Sequence, residues 1–133
     1  PADRGGGRHP RALVLDRRHH LPHPAGHGRI LGPGADISVE LIDLRTISPM
    51  DRETIIASVE KTGRILIVHE AAKSFGTGAE IMAVVNEKAF LSLEAPPTRL
   101  TGFDTIFPLA RGEKHYMPTP ERIQAKIREL ANY

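Results

Sequence analysis

The sequence predicts an α/β domain in which helices cover both faces of a parallel sheet, a three-layer arrangement. The β-branched and apolar run at 37–42 is typical of a strand that is buried on both faces. A second such run at 64–69 follows a helical pattern. Strand, helix and strand together take about 32 residues, the length of a right-handed parallel crossover. Polar residues follow each predicted strand directly, as they do where strands end.

The other elements follow from capping residues and apolar spacing. Asp51 is a predicted N-cap for the first helix, with Thr54 three places on, and Gly63 ends that helix. The remaining elements, in chain order, are a helix over 79–91, a short strand over 98–101, an irregular loop over 102–108, and a last helix from Thr119 to Tyr133.

Composition limits the class of protein. The 133 residues suit one domain with a real core. The absence of cysteine excludes disulfides, thiol chemistry and cysteine metal sites. No apolar run approaches the ~20 residues that span a bilayer. We therefore expect no membrane partner and a cytoplasmic location, or the mitochondrial matrix in a eukaryote.

The chain changes character at Gly34. Residues 1–34 hold six arginines, two aspartates and five of the seven histidines, so the high pI belongs to this segment. We expect 1–34 to be a basic, largely irregular segment with one short strand at 12–15, and 35–133 to be the folded domain.

The histidines of this segment suggest an alternative function of another class. Imidazoles at His19, His20, His23 and His27 are candidate metal ligands, and the arginines are candidate phosphate contacts. The neighbouring prolines at 22 and 24 prevent the helix that would align these rings, and no aromatic residue is interleaved to stack on bases. We expect a solvated tail, with a metal- or nucleic-acid-binding module as the alternative.

The predicted carboxyl ends of the strands bring polar side chains to one rim of the sheet. These rim candidates are Asp43, Arg45, His69, Glu70 and Asp104. A histidine beside a carboxylate could form an acid–base pair in a free-standing enzyme. The structural interpretation, which we favour, is that Asp43 and Arg45 close a turn and that Glu70 caps backbone amides. Adjacent strand residues such as His69 and Glu70 point to opposite faces.

The segment Ser74–Gly78 resembles a glycine loop before a helix, which could seat an anion. It matches neither the dinucleotide fingerprint nor the phosphate-loop pattern, because no Lys-Ser/Thr follows the last glycine. A tight turn between strand and helix is the interpretation that we favour. No nucleophile elbow and no metal-ligand constellation occurs in 35–133, so the sequence predicts no catalytic, cofactor or metal residues there.

Five ordered blocks carry a family resemblance. They are Val39–Asp51, Thr62–Ala71, Gly76–Ile81, Phe90–Pro96 and Thr101–Pro108. Together they resemble the C-terminal, transketolase-type domain of the beta subunit of thiamine-diphosphate-dependent 2-oxoacid dehydrogenases, over about residues 34–133. The Phe90–Pro96 block, the Gly102–Pro108 segment and the closing Asn132-Tyr133 favour the branched-chain 2-oxoacid enzymes, with pyruvate and acetoin dehydrogenases as alternatives.

The resemblance implies a domain for assembly and docking that is not catalytic on its own. Thiamine diphosphate and magnesium would belong to the complete enzyme, and the glutamate that activates the cofactor has no match in this chain. The implied partners are an alpha subunit, a second beta subunit and the subunit-binding domain of the dihydrolipoyl acyltransferase core. The implied docking residues are Glu94 and Tyr133 with its carboxylate, whereas Thr98 stands where some members have a second acid.

Two departures from the family pattern carry expectations of their own. Phe75-Gly76 stands where members usually have Gly-Gly, and phenylalanine disfavours positive φ, so the loop conformation is expected to differ. The family also places a strand and a helix before Val39, and residues 1–34 show no such apolar pattern. We expect a domain that lacks its first strand and helix, with 1–34 the product of a frameshift or a mis-called start.

Overall fold

The computed structural model describes residues 11–15, 25–30 and 37–133, the first two ranges by their backbone alone. The strands are β1 (Arg11–Leu15), β2 (Ala25–Ile30), β3 (Ile37–Ile42), β4 (Ile65–Val68) and β5 (Thr98–Leu100). The helices are α1 (Arg52–Thr62), α2 (Thr77–Ala89), α3 (Ala110–Tyr116) and α4 (Pro120–Ala131), with a short 3-10 helix at Phe90–Ser92.

The five strands form one sheet in the order β2-β3-β1-β4-β5. β1 pairs in parallel with both β3 and β4, and β5 pairs in parallel with β4. β2 is antiparallel to β3 at one edge. The crossover from β3 through α1 to β4 therefore steps over β1. A helix about 10 Å across covers two strand spacings of about 4.8 Å, which suits this step.

Here the structure differs from the sequence prediction. A strand stands ahead of β3 and fills the position between β3 and β4, so the described sheet has the first strand that we expected to be missing. The predicted strand at 12–15 lies within it, but β2 was expected to be irregular. The expected absence of a helix after the first strand falls on 16–24, outside the described residues, as do His19, His20 and His23.

Strand β4 is buried along its whole length because it separates two apolar layers. Ile65 and Ile67 face α1 and α2, where they pack with Ile55, Val59, Ile81 and Val85. Leu66 and Val68 face the other way and pack with Ile127 and Leu130 of α4. This alternation follows from the two-residue period of a strand. The predicted three-layer arrangement, with a mostly parallel sheet, is confirmed.

The predicted helix boundaries agree with the structure to within two residues, apart from α3, which the sequence did not predict. The Asp51 carboxylate accepts a hydrogen bond from the Thr54 backbone N–H at 3.1 Å and caps α1. Gly63 ends α1 in the left-handed conformation, at φ 70°. The Thr119 hydroxyl caps α4, and Pro120 occupies its first turn. No helix in residues 37–133 is long and apolar enough to cross a bilayer.

Candidate functional site

The rim candidates follow the carboxyl ends of the parallel strands, as predicted. Asp43 comes directly after β3, and His69 and Glu70 come directly after β4. Asp104 lies in the loop after β5. Since β1, β3, β4 and β5 run in the same direction, these residues gather at one edge of the sheet.

Asp43 and Arg45 form an ion pair in the turn after β3. The Asp43 Oδ2 and Arg45 Nε atoms lie 3.4 Å apart. The Asp43 side chain is 11 % exposed and that of Arg45 is 53 % exposed. Two residues that are two positions apart thus pair locally after β3, which favours the structural interpretation over a catalytic role.

His69 is buried against two glycines at the start of α2, Gly76 at its N-cap and Gly78 in its first turn. Its backbone N–H donates to the Leu100 carbonyl at 3.2 Å, which extends the contact between β4 and β5. A Cβ atom built on Gly78 would lie 2.6 Å from Nε2 of the imidazole, and one on Gly76 would lie 2.9 Å from Cε1. The ring therefore fills the space that two absent side chains leave. The close approach of the imidazole explains why glycine occupies positions 76 and 78 better than an anion-binding site does.

Asp104 ties the loop after β5 to the loop before α2. Its carboxylate accepts hydrogen bonds from the Ser74 backbone N–H at 2.8 Å and from the Ser74 hydroxyl at 2.7 Å. These bonds, the backbone one foremost, hold the pKa of the Asp104 carboxyl below its usual value of 3.8. An ionised carboxylate that is engaged in this way acts as a clamp between loops. It is poorly suited to serve as a general acid for His69.

A groove of about 430 Å³ lies between the turn at 47–50 and the start of α2. Its edge carries the ion pair of Arg52 with Glu80, at 3.2 Å. Phe75 lines it with its side chain fully exposed and its backbone at φ 56°, so it keeps the left-handed conformation that glycine adopts more readily. Whether the loop differs from that of other family members stays a prediction. The sequence did not predict the groove.

Glu94, the first predicted docking residue, is held against the end of α1. Its backbone N–H donates to the Gly63 carbonyl at 2.7 Å. A Cβ atom on Gly63 would lie 2.8 Å from Cγ of Glu94, so the side chain crosses directly over the glycine. The carboxylate pairs with the guanidinium of Arg64. The Glu94 side chain is nevertheless 56 % exposed, which leaves it accessible to a partner.

Tyr133, the second predicted docking residue, lies just beyond α4 and is 75 % exposed. The α4 helix ends at Ala131, where the Asn132 backbone N–H donates to the carbonyls of Arg128 and Glu129. Thr98, at the position of a second acid in some family members, donates its hydroxyl to the Pro96 carbonyl at 3.1 Å. That hydroxyl stabilises a local turn.

The loop after β5 presents an apolar surface that sequence reasoning missed. Ile106 and Leu109 are each 91 % exposed, and about half of Phe103 and Phe107 is exposed. We call these four residues the 103–109 surface. The sequence signal is the occurrence of four large apolar residues in a segment without strand or helix periodicity, which by itself predicts only an irregular loop.

The 103–109 surface rests on a cluster of aromatic rings. The buried Tyr116 contacts Phe103 and Phe107 edge to face, with ring centroids 5.9 and 4.9 Å away, and its hydroxyl donates to the Phe103 carbonyl at 3.1 Å. The Arg122 guanidinium lies 5.5 Å from the centre of the Phe103 ring. The exposed apolar residues therefore stand on an ordered base.

The sequence is similar to a known domain family and to subunits of known enzymes. Residues 33–123 match the family described as Transketolase, C-terminal domain. The chain is 62 % identical over 95 residues to the pyruvate dehydrogenase E1 component subunit beta of Acholeplasma laidlawii, covering 71 % of this chain and 29 % of that protein. It is 54 % identical over 97 residues to the mitochondrial 2-oxoisovalerate dehydrogenase subunit beta 2 of Arabidopsis thaliana, covering 73 % and 27 %.

A solved structure supports the same fold. The chain aligns to a split gene transketolase, an inactive beta4 tetramer, with a TM-score of 0.59 and 19 % identity, over 92 % of this chain and 38 % of that one. At this identity the likeness concerns the fold alone. The chain spans less than a third of the length of the two curated relatives named above.

Proposed function

Because the chain belongs to the family of transketolase C-terminal domains, we propose that it serves as the assembly and core-docking domain of a 2-oxoacid dehydrogenase beta subunit. The resemblance to such a domain is confirmed at the level of the family. The identity of 62 % over 95 residues with a beta subunit supports this proposal most strongly. In such an enzyme the decarboxylation of the 2-oxoacid would take place on another domain.

The 103–109 surface supports the assembly role. Monomeric proteins seldom expose contiguous apolar patches above a few hundred Å², and a stable interface buries about 800 Å² on each partner. Ile106 and Leu109 project almost wholly into solvent although the domain has two well-buried apolar clusters of its own. The partners that we propose for this surface are the alpha subunit and a second beta subunit.

Coexpression with the remaining part of the beta subunit and the alpha subunit tests this role. We expect Ile106→Glu combined with Leu109→Glu to prevent co-purification, because two buried carboxylates would have to be desolvated at the interface. Leu91→Glu is the control, since Leu91 is 97 % exposed but lies outside the surface. Equal yields of assembled enzyme from all three forms would contradict the assembly role.

Glu94 and Tyr133 support the core-docking role. An exposed carboxylate attracts basic side chains, and an exposed tyrosine offers both an apolar ring and a hydroxyl to a partner. The test is capture of the acyltransferase subunit-binding domain by the full chain. We expect Glu94→Ala and deletion of Tyr133 each to weaken capture, whereas Glu87→Ala on the exposed face of α2 should not. If both variants bind as the wild type does, Glu94 and Tyr133 do not dock the core.

For the substrate, we favour pyruvate, with branched-chain 2-oxoacids as the second candidate. The 62 % identical relative is named a pyruvate dehydrogenase subunit, and the 54 % identical relative is named a 2-oxoisovalerate dehydrogenase subunit. Both names belong to those proteins, and the branched-chain preference that the sequence suggested finds support in the second alone. The reconstituted enzyme, supplied with pyruvate and with 2-oxoisovalerate in parallel, should decarboxylate pyruvate faster.

In this proposal thiamine diphosphate and magnesium are bound by the rest of the complete enzyme. The resemblance implies that the glutamate which activates thiamine diphosphate lies on another domain, and residues 37–133 hold no group of three carboxylates or imidazoles close enough to bind a metal ion. The rim candidates have no catalytic role in this proposal. The alternative of a metal- or nucleic-acid-binding tail in 1–34 stays a prediction, to be checked by comparing binding before and after deletion of that segment.

A further inference from the structure

We propose that Arg64 joins Glu94 and the end of α4 into one coupled surface for a basic partner segment, an inference that rests on the docking function proposed above. Glu94 and Tyr133 are 39 positions apart in the sequence. The family resemblance implies both as docking residues but gives no contact that joins them. Arg64 is the side chain that contacts both neighbourhoods, and it belongs to neither proposed docking position.

The guanidinium of Arg64 makes two contacts in different directions. Its Nε atom donates to the backbone carbonyl of Leu130 at 3.2 Å, in the last turn of α4. Its Nη1 atom donates to Oε2 of Glu94. Leu130 is buried, and Tyr133 follows it three residues later. One planar group therefore bridges the docking carboxylate and the last turn of α4, which Tyr133 follows three residues after Leu130.

The two side chains of the Arg64–Glu94 ion pair differ in their exposure to solvent. The Arg64 side chain is only 15 % exposed, whereas that of Glu94 is 56 % exposed. The guanidinium of Arg64 therefore lies on the protein side of the pair, and the carboxylate of Glu94 faces solvent. A partner lysine or arginine would approach Glu94 from the solvent side while Arg64 holds it from below. The surface thus fits a partner segment that carries a cation beside an apolar group able to pack on Tyr133.

Fixing Glu94 in advance should favour binding. A carboxylate that is already paired with Arg64 loses less side-chain freedom when a partner arrives than a mobile one does. Against this, the charge of Arg64 repels the partner cation. Because the guanidinium is largely buried and its charge is paired, we expect the positioning effect to be the larger, so that Arg64 is a positioning residue and not a competitor.

The first test needs no partner. Amide chemical shifts of residues 131–133 are measured by NMR in the full chain. We expect Glu94→Gln to move these signals in the wild type but to move them at most half as far in an Arg64→Lys background. Lysine keeps the charge but lacks the planar fork that reaches two acceptors. Glu87→Gln is the control and should leave the signals in place.

Two results would overturn the link through Arg64. One is that Glu94→Gln leaves the signals of 131–133 unmoved in the wild-type chain. The other is that it moves them equally in the Arg64→Lys background. Since Arg64→Lys keeps a long cationic side chain, folding is expected to survive, and the first result can be read in the wild-type background alone.

The second test measures binding of the subunit-binding domain by titration calorimetry. We expect Arg64→Lys to weaken binding roughly threefold to tenfold, the range that corresponds to the ordering of one side chain. Glu94→Gln and Tyr133→Ala should be non-additive in the wild type and additive in the Arg64→Lys background. Unchanged or tighter binding by Arg64→Lys would overturn the positioning role. If the wild-type chain fails to bind the domain, the docking function fails, and the NMR measurement still decides the link.

Discussion

Asp104 accepts two hydrogen bonds from Ser74, one from its backbone N–H at 2.8 Å and one from its hydroxyl at 2.7 Å. The two residues are 30 positions apart, and they join the loop after β5 to the loop before α2. The 103–109 surface begins next to Asp104, and Phe75 of the groove follows Ser74. This pair therefore connects the two irregular segments at the same edge of the sheet.

The pH dependence of this clamp follows from the lowered pKa of Asp104. A group whose pKa is lower in the folded state stabilises the fold above its unfolded pKa of about 3.9 and loses that contribution as the pH falls through the folded value. We therefore expect the clamp to be intact at neutral pH and to open in acid below pH 3.8, the usual value of the carboxyl. The amide signal of Ser74 should titrate with a midpoint below that pH.

Asp104→Asn is the control for this titration. An amide oxygen accepts hydrogen bonds but carries no titrating proton, so the Ser74 signal should then be flat across the acid range. A Ser74 titration that persists in Asp104→Asn would assign the effect to another carboxyl.

The Asp51 cap should contribute measurably to stability. Asp51→Ala is expected to lower the free energy of unfolding by about 1 kcal/mol, because the N–H of Thr54 loses its acceptor at the start of α1. Asp51→Asn, which also caps well, should change it by less than about 0.5 kcal/mol. Urea unfolding followed by circular dichroism measures both variants. Equal losses from the two would show that the charge, and not the cap, matters.

Replacement of Phe75 with glycine should stabilise the protein. Its backbone at φ 56° costs a bulky residue about 1–2 kcal/mol, and its fully exposed ring offers little packing to lose. Against this, glycine raises the conformational entropy of the unfolded chain, which destabilises the folded protein by about 1 kcal/mol. We expect Phe75→Gly to raise the free energy of unfolding by up to about 1 kcal/mol in chemical denaturation.

Phe75→Ala separates the backbone effect from removal of an exposed ring. Alanine also disfavours positive φ, so its stability should stay close to that of the wild type. A gain from alanine as large as that from glycine would show that the backbone conformation is not the cause.

Gly78 should not tolerate a side chain while His69 is present. Alanine improves helix propensity by about 1 kcal/mol, but its Cβ would lie 2.6 Å from Nε2 of the buried imidazole. Overpacking of this kind costs about 1–3 kcal/mol, so we expect a net loss of stability from Gly78→Ala. In a His69→Ala background the same change should be neutral or stabilising. Thermal unfolding of the four forms measures this coupling, and additive effects would contradict it.

Much of this fold could be predicted from local signals. Asp51, Gly63 and Thr119 delimit helices through their own backbone chemistry, and these predictions are confirmed. The 103–109 surface could not be predicted in the same way, because a loop has no periodicity that tells exposed from buried residues. Helix α3 was missed for a related reason, since it has only seven residues and buries Tyr116 alone.

The candidate site divides along similar lines. Spacing from strand ends placed Asp43, His69 and Asp104 at one edge, and the structure agrees. What each side chain does there depends on neighbours that are distant in sequence. Asp104 bonds to Ser74, and the imidazole of His69 lies against Gly78. The rim candidates therefore stay predictions as site residues, and the contacts favour a structural role.

The sequence by itself determined the family, the alternation of strands and helices, and the apolar stripes that build two layers around β4, because periodicity and capping are local properties of the chain. Only the tertiary structure decided that β1 lies between β3 and β4, that β2 closes the edge, and that Arg64 contacts both Glu94 and the end of α4. Strand order and bridging contacts depend on pairing between distant segments, where hydrogen bonding and burial outweigh local preference.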